Sequence, residues 1–315
     1  MYMRRCFQLA ANGLGYTAPN PLVGCVVVRD GRVVAEGFHA AHGRNHAERD
    51  AITRCRRPEL LRGATLYVNL EPCSHQGLTP PCATLVVESG IGRVVVCNDD
   101  PNPLVSGRGY ALLREAGIPV TTHVLEDEGR KLNRRFFTFM EKQRPYVILK
   151  WAQSSDGFMA PAQMPCTGTD GHGYWISNSY QTLLSHRLRT TEAAILVGSQ
   201  TFLDDRPQLT ARLLHGRQPQ RMVWDRRHRC QNMVDDTWWL MDQPDVPSLL
   251  EELYRRKMQS LIVEGGAKVL DAFLSSGLYD EEVVFQGSNA FGQGLPAPVV
   301  PQREGLTYTI VAENN

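Results

Sequence analysis

The sequence predicts an α/β protein of two domains, and three observations carry that expectation. Short apolar, β-branched runs alternate with helix-length segments twice, once before residue 125 and again after residue 146. A polar, charge-rich stretch, 126–144, separates the two rhythms and ends at Pro145. With 315 residues, 42% of them hydrophobic and 21% charged, each half can bury a core of its own. The expected domains are 1–144 and 145–315.

In the first half, strands over 23–28 and 33–37 flank the turn Asp30-Gly31, a hairpin signal. A helix over 46–54, a strand over 65–70, a helix over 82–89 and a strand over 93–98 follow. A helix over 109–116 then leads into a strand over 119–124. This rhythm implies a sheet covered by helices. Within 126–144 the spacing of Leu132, Phe136, Phe137 and Met140 predicts one amphipathic helix. The second half gives strands over 146–151, 194–198 and 260–264, with helices over 178–189, 248–256 and 268–275. No internal repeat or low-complexity segment interrupts either half.

Net charge is +1, from 34 basic and 33 acidic residues, so no strong field gathers nucleic acid or an anionic membrane. The short basic runs, Arg54 with Arg56 and Arg57 and then Arg226 to Arg229, read as solvated loops. No apolar run reaches the ~18 residues of a membrane span, and the first residues lack the apolar core of a signal peptide. The eight cysteines (6, 25, 55, 73, 82, 97, 166 and 230) are scattered, and Cys25 and Cys97 lie inside strand-like runs. A reduced, cytoplasmic setting is expected.

The strongest chemical signal is His46-Ala47-Glu48, followed by Pro72-Cys73 and then Cys82. One imidazole and two thiolates supply three zinc ligands and leave a fourth position open, as a catalytic site requires. A metal there makes activated water available near neutral pH. Glu48 stands two residues past the histidine as a carboxylate that does not ligate. It would take a proton from the attacking water and hand it to a ring nitrogen and the departing ammonia, the signature of zinc deaminases. The cysteines are nine residues apart, and Pro80 and Pro81 suit the first turn of a helix that Cys82 opens, where a thiolate is favoured. Two buried cysteines and an unrelated histidine are the plainer reading of the parts, but their joint occurrence at strand and helix ends favours a metal.

In the second half, Val197-Gly198 and Val263-Glu264-Gly265-Gly266 end strands and could bring backbone close to a cofactor phosphate. A lone Gly-Gly pair, taken alone, reads sooner as a plain turn.

Pro19-Asn20-Pro21-Leu22-Val23-Gly24, His46-Ala47-Glu48, Leu70-Glu71-Pro72-Cys73-Ser74-His75, Thr79-Pro80-Pro81-Cys82, Asp100-Pro101-Asn102-Pro103 and Gly107-Arg108-Gly109 together resemble a known family. It is the bifunctional diaminohydroxyphosphoribosylaminopyrimidine deaminase/reductase family of riboflavin biosynthesis. The resemblance implies a cytidine-deaminase-like three-layer α/β/α domain followed by a dihydrofolate-reductase-like α/β domain. The first would hydrolyse an amino group of a phosphoribosylated diaminopyrimidine, with His46, Cys73 and Cys82 on zinc and Glu48 moving the proton. Asn20, His42 and His75 would meet the substrate, although each histidine alone equally suits a structural hydrogen bond.

Segments 149–157, 175–177, 187–189, 195–198 and 205–212 resemble the reductase half, which reduces the ribosyl group to a ribityl chain with NADPH. The resemblance places Ala160, Trp175, Thr201 and Asp205 along that cofactor, and Gly265 and Gly266 are expected to join them as its phosphate cradle. It gives Arg189, Leu209, Arg212 and Glu264 to the substrate, the arginines suiting a phosphate. Asp225 with Arg226 and Arg227 would address the adenosine end of the cofactor. The family also implies a homo-oligomer, a dimer or tetramer.

The chain departs from the family pattern in places. The family carries Lys or Arg five residues after the first cysteine, where this chain has Leu78. Phe158 stands where a cation usually follows Asp-Gly, and Gly173 stands for a serine. The stretch between Cys230 and Ser260 is short, and the tail after Pro301 is expected to lack the last strand. These departures keep three other readings open: a deaminase with an inactive second domain that serves dimerisation, a zinc deaminase of another base, and a zinc-stabilised binding module. Glu48 argues against the last, since a structural zinc site has no use for it.

Overall fold

A computed structural model describes residues 1–74, 81–102, 106–162, 176–300 and 306–312. The chain divides into two compact units, Met1–Gln143 and Arg144–Asn315. No helix among the described residues is long and apolar enough to cross a membrane.

The first unit contains helices α1 (Tyr2–Ala11), α2 (Ala47–Thr53), α3 (Cys82–Glu88), α4 (Arg108–Glu115), α5 (Glu126–Leu132) and α6 (Arg134–Lys142). Its strands are β1 (Gly24–Arg29), β2 (Arg32–Phe38), β3 (Thr65–Leu70), β4 (Arg93–Asn98) and β5 (Val120–Thr121). They form one sheet in the order β2-β1-β3-β4-β5. β1 runs antiparallel to β2 and β3, while β3, β4 and β5 are parallel.

Successive residues of a strand point to opposite faces. Cys25, Val27, Leu66, Val68, Val94 and Val96 pack on one face with Ala47, Ala51, Ala83, Val86 and Leu113 of the helices. Val26, Val28, Val95 and Cys97 pack on the other with Met3, Cys6 and Leu9 of α1. Both faces are covered, so the strands read as unbroken apolar runs rather than as an alternation.

Three features differ from the sequence reading. Helix α1 was not foreseen, although Met3, Cys6, Leu9 and Ala10 are buried at helical spacing. The strand expected over 119–124 shrinks to Val120–Thr121. The single helix expected within 126–144 is two helices, broken at Asn133. That buried amide accepts the Leu22 N–H at 2.8 Å and donates to the Leu22 carbonyl at 2.9 Å. Its backbone leaves the helical region (φ −96°, ψ 23°). The break lets Phe136 and Phe137 pack against Leu70.

The second unit contains strands β6 (Tyr146–Gln153), β7 (Phe158–Pro161), β8 (Ala194–Gly198), β9 (Gln220–Trp224), β10 (Trp238–Met241), β11 (Ser260–Glu264), β12 (Glu281–Gln286), β13 (Gly294–Pro296) and β14 (Thr307–Val311). Helices α7 (Ser179–Thr191), α8 (Ser199–Asp205), α9 (Val246–Arg255) and α10 (Ala267–Ser276) accompany them. Seven strands form a parallel sheet in the order β10-β9-β8-β11-β6-β12-β14. β7 and β13 pair separately as an antiparallel ribbon.

Its core gathers Val147, Leu149, Leu196, Met222, Leu261 and Val263 with Leu249, Leu253, Leu270 and Phe273 of α9 and α10. α7 opens on a capping box, Asn178 with Gln181. The tail does supply a strand: β14 lies parallel to β12 at the sheet edge, from Glu282↔Thr307 to Gln286↔Val311.

Candidate active sites of the two units

In the first unit, sequence order and sheet geometry bring three ligand atoms together. His46 caps α2, Cys73 lies three residues past the end of β3, and Cys82 opens α3. His46 Nδ1 is 3.5 Å from each cysteine Sγ. Ligand bonds of ~2.3 Å to sulfur and ~2.05 Å to nitrogen, set at the tetrahedral angle, separate S and N by about 3.6 Å. Both N–S separations match a tetrahedral zinc site, and all three ligand atoms lie within 4.8 Å of one another, which leaves a fourth position for water.

The electrostatics agree with that chemistry. The Cys82 thiol, the nearby His46 and the Cys82 N–H, which donates to Cys73 Sγ at 3.3 Å, together bring the Cys73 thiol down to about 4. Cys82 moves the other way, because its thiol is held by a hydrogen bond to Cys73 and burial disfavours its thiolate.

Glu48 is 3% exposed in the first turn of α2. Burial pushes its carboxyl up to about 7, and the Cys73 thiolate adds to the shift. A bound cation would pull it back down. Glu48 and the triad residues His46 and Cys73 line a cavity of about 370 Å³. That volume suits a small molecule.

Asn20 and His42 line the same cavity. His39, which sequence reasoning missed, lines it too and pairs with Asn20 Nδ2 through Nε2 at 3.0 Å. Its Nδ1 lies 2.9 Å from the Asn45 carbonyl. Burial lowers the His39 pKa, so the ring is neutral, with Nδ1 donating to Asn45 and Nε2 accepting from Asn20. Asp100 and Asn102 also line the cavity. The signal for these lay in the quoted motifs, but nothing in their spacing marked them as wall residues. His75 and Leu78 lie outside the described residues.

The loop carrying Cys73 is braced from behind. Glu71 accepts the N–H groups of Gly107 and Gly109, each at 3.0 Å. A Cβ on Gly109 would stand 2.0 Å from the Pro72 carbonyl oxygen. Only glycine lets the start of α4 lie against the ligand loop.

In the second unit, Glu264 ends β11 and accepts from Arg189 Nη2 at 2.7 Å and Nε at 3.3 Å. Lys150 Nζ stands 3.9 Å away and is a cluster member that sequence reasoning missed. All three side chains are nearly buried, at 11%, 12% and 11% exposure for Glu264, Arg189 and Lys150. Burial raises the Glu264 pKa, but Lys150 and Arg189 outweigh it and hold the carboxyl below its usual range.

Buried His186 accepts the Leu213 N–H through Nδ1 at 3.3 Å. Burial, followed by Arg189 and Arg212, lowers its pKa and keeps it neutral. Arg189, Arg212 and Glu264 thus share one neighbourhood. The Leu209 side chain is instead 3% exposed and packs with Ile195, Val197 and Phe202, so its main chain alone is free to face a ligand.

Gly265 and Gly266 adopt φ of +81° and +77° ahead of α10. A Cβ on Gly266 would come within 2.8 Å of Thr201 Oγ1. This open backbone, together with Thr201 on α8, fits a cofactor phosphate. Thr201 lies on the helix α8. Asp205 ends that helix, and Ala160 lies in the β7–β13 ribbon opposite Leu295. Asp225 follows β9 and accepts the Cys230 N–H at 2.7 Å. Trp175 and Gly173 lie outside the described residues.

Residues 145–311 match the RibD C-terminal domain, and residues 1–98 match the cytidine and deoxycytidylate deaminase zinc-binding region. The riboflavin biosynthesis protein RibD of Aquifex aeolicus is 37% identical over 322 residues, covering 93% of this chain and 88% of that protein. The chain belongs to the RibD family. The RibD of Bacillus amyloliquefaciens is 39% identical, covering 97% of this chain and 88% of its own. Among solved structures, the Thermotoga maritima diaminohydroxyphosphoribosylaminopyrimidine deaminase/5-amino-6-(5-phosphoribosylamino)uracil reductase superposes with a TM-score of 0.85 at 40% identity. It covers 94% of this chain and 88% of its own. Acinetobacter baumannii RibD gives a TM-score of 0.85 at 35% identity, with 96% and 90% coverage.

As a RibD protein the chain is a bifunctional deaminase and reductase of riboflavin biosynthesis. Its cofactors are zinc in the deaminase unit and NADPH in the reductase unit.

Proposed function

We propose that the first unit converts 2,5-diamino-6-(5-phosphoribosylamino)pyrimidin-4-one to 5-amino-6-(5-phosphoribosylamino)uracil, and that the second reduces the ribosyl group of that product to a ribityl chain. The observation that carries the reading is the tetrahedral fit of His46, Cys73 and Cys82 with buried Glu48 in the same cavity. Zinc held by those three side chains supplies the Lewis acid that activates water.

Water adds to the amino-bearing ring carbon, the carbon–nitrogen bond breaks, and a carbonyl and ammonia result. Glu48 takes a proton from the water and passes it to the ring nitrogen and the leaving amine, a task suited to a buried carboxylate that lines the cavity without ligating the metal. Asn20, its amide fixed by neutral His39, orients the ring, and His42 and His75 complete the contacts.

In the second unit a bound NADPH would supply the hydride to C1′ of the sugar, where the ring C1′–O bond opens and a proton from solvent completes the open ribityl chain. Gly265, Gly266, Thr201, Asp205, Ala160 and Trp175 lie along the cofactor, and Arg189, Arg212, Glu264 and the Leu209 backbone hold the substrate. The enzyme works as a homo-oligomer in the cytoplasm, a reducing compartment that suits seven free cysteines among the described residues.

Stripping the metal with a chelator tests the assignment. Ammonia release should stop and return with added zinc, while NADPH-dependent reduction of the uracil continues. Ammonia release that survives complete removal of the metal would refute it.

A further inference from the structure

The deaminase substrate in this reading carries a phosphate, and a phosphate needs a fixed cation near the cavity. Of the described side chains lining the cavity, Arg44 alone is lysine or arginine. The stretches of sequence that follow Cys73 and Asn102, 75–80 and 103–105, contain neither lysine nor arginine. Three carboxyl groups, of Glu48, Glu71 and Asp100, line the same cavity, and none of them attracts a phosphate.

We propose that Arg44 binds the phosphate of the deaminase substrate and so makes the deaminase selective for the phosphorylated form. The proposal rests on the function given above. Arg44 is exposed and makes no ion pair among the described residues, so its guanidinium is available. Its backbone is held in place: the Arg44 N–H donates to the Ala41 carbonyl at 3.0 Å, and the His42 N–H donates to the Tyr16 carbonyl at 3.0 Å.

Arg44 precedes the ligand His46 by two residues, so its backbone lies within ~7 Å of the His46 backbone. A ribose stands between the reacting ring and the phosphate, so the cation belongs at the solvent side of the cavity rather than beside the metal. Arginine also offers a planar pair of donors to phosphate oxygens, which a lone ammonium does not.

The test compares kcat/KM for ammonia release from the phosphoribosyl substrate and from its dephosphorylated riboside, using zinc-loaded full-length protein. Wild-type enzyme should prefer the phosphorylated form by about 10–100-fold, the range of one or two charge-assisted bonds. Arg44→Ala should reduce that preference to within about threefold, chiefly through KM. Arg44→Lys should keep most of it, and Arg44→Glu should reverse it. Zinc content is measured alongside. If Arg44→Ala does not retain zinc, the contrast between Arg44→Lys and Arg44→Gln decides instead. An Arg44→Ala enzyme with the full wild-type preference overturns the proposal while leaving the deaminase assignment intact. Failure of zinc-loaded wild-type protein to release ammonia from either compound overturns the assignment and this inference with it.

Discussion

Glu48→Gln should retain the wild-type zinc content and release ammonia about 10²–10⁴-fold more slowly. The amide keeps the volume and buried position of the carboxyl in α2 but cannot accept the proton of the attacking water. Since His46, Cys73 and Cys82 form the metal set without Glu48, metal analysis separates this loss from loss of the site. The loss should fall on kcat rather than on KM, because proton transfer occurs in the transition state. A variant that deaminates at the wild-type rate would remove Glu48 from the mechanism.

That site was legible in the sequence because its parts sit at element boundaries. Pro81 before Cys82 announced the start of α3, and β3 ended where the Leu70-Glu71-Pro72-Cys73 segment suggested. The cavity walls were less legible. His39 contributes through a neutral tautomer set by the Asn45 carbonyl and Asn20, a relation made by a fold rather than by spacing. Arg44 reads in sequence as one more surface cation, and only the cavity lining sets it apart.

In the second unit, the strands β8 and β11 were plain apolar runs, whereas β9, β10 and β12 were not recognised. β12 begins Glu281-Glu282, two adjacent carboxylates that alternation places on opposite faces and that the fold buries on both. Tyr146 donates its hydroxyl to Glu281 at 2.9 Å, and Thr307 of β14 donates to Glu282. Partners that lie far apart in sequence cannot be read from a local pattern. The same holds for Asn133, whose hydrogen bonds to Leu22 break the helix that periodicity predicted.

Glu264→Ala should destabilise the second unit by about 3–5 kcal/mol and abolish NADPH-dependent reduction. The substitution leaves Lys150 and Arg189 nearly buried without their shared carboxylate. Burial already lowers the Lys150 pKa, with Glu264 resisting, so loss of Glu264 drives that ammonium towards its neutral form. The effect has a defined pH dependence. The folded carboxyl lies below its ordinary 4.5, so its contribution is present above that pH and fades as pH falls through the lowered value. Denaturant titration near neutral pH checks the loss, and the gap between wild type and variant should narrow in acid. An unchanged midpoint would mean that the three charges are not holding one another.

One chain carries both activities, and the reduction assigned to the second unit is the half to be measured. The direct measurement supplies zinc-loaded protein with 5-amino-6-(5-phosphoribosylamino)uracil and NADPH, and follows cofactor oxidation together with product. One NADPH should be oxidised for each ribityl product formed. Normal ammonia release from the diaminopyrimidine with no NADPH oxidation on the uracil would contradict it, leaving a deaminase whose second unit does no chemistry.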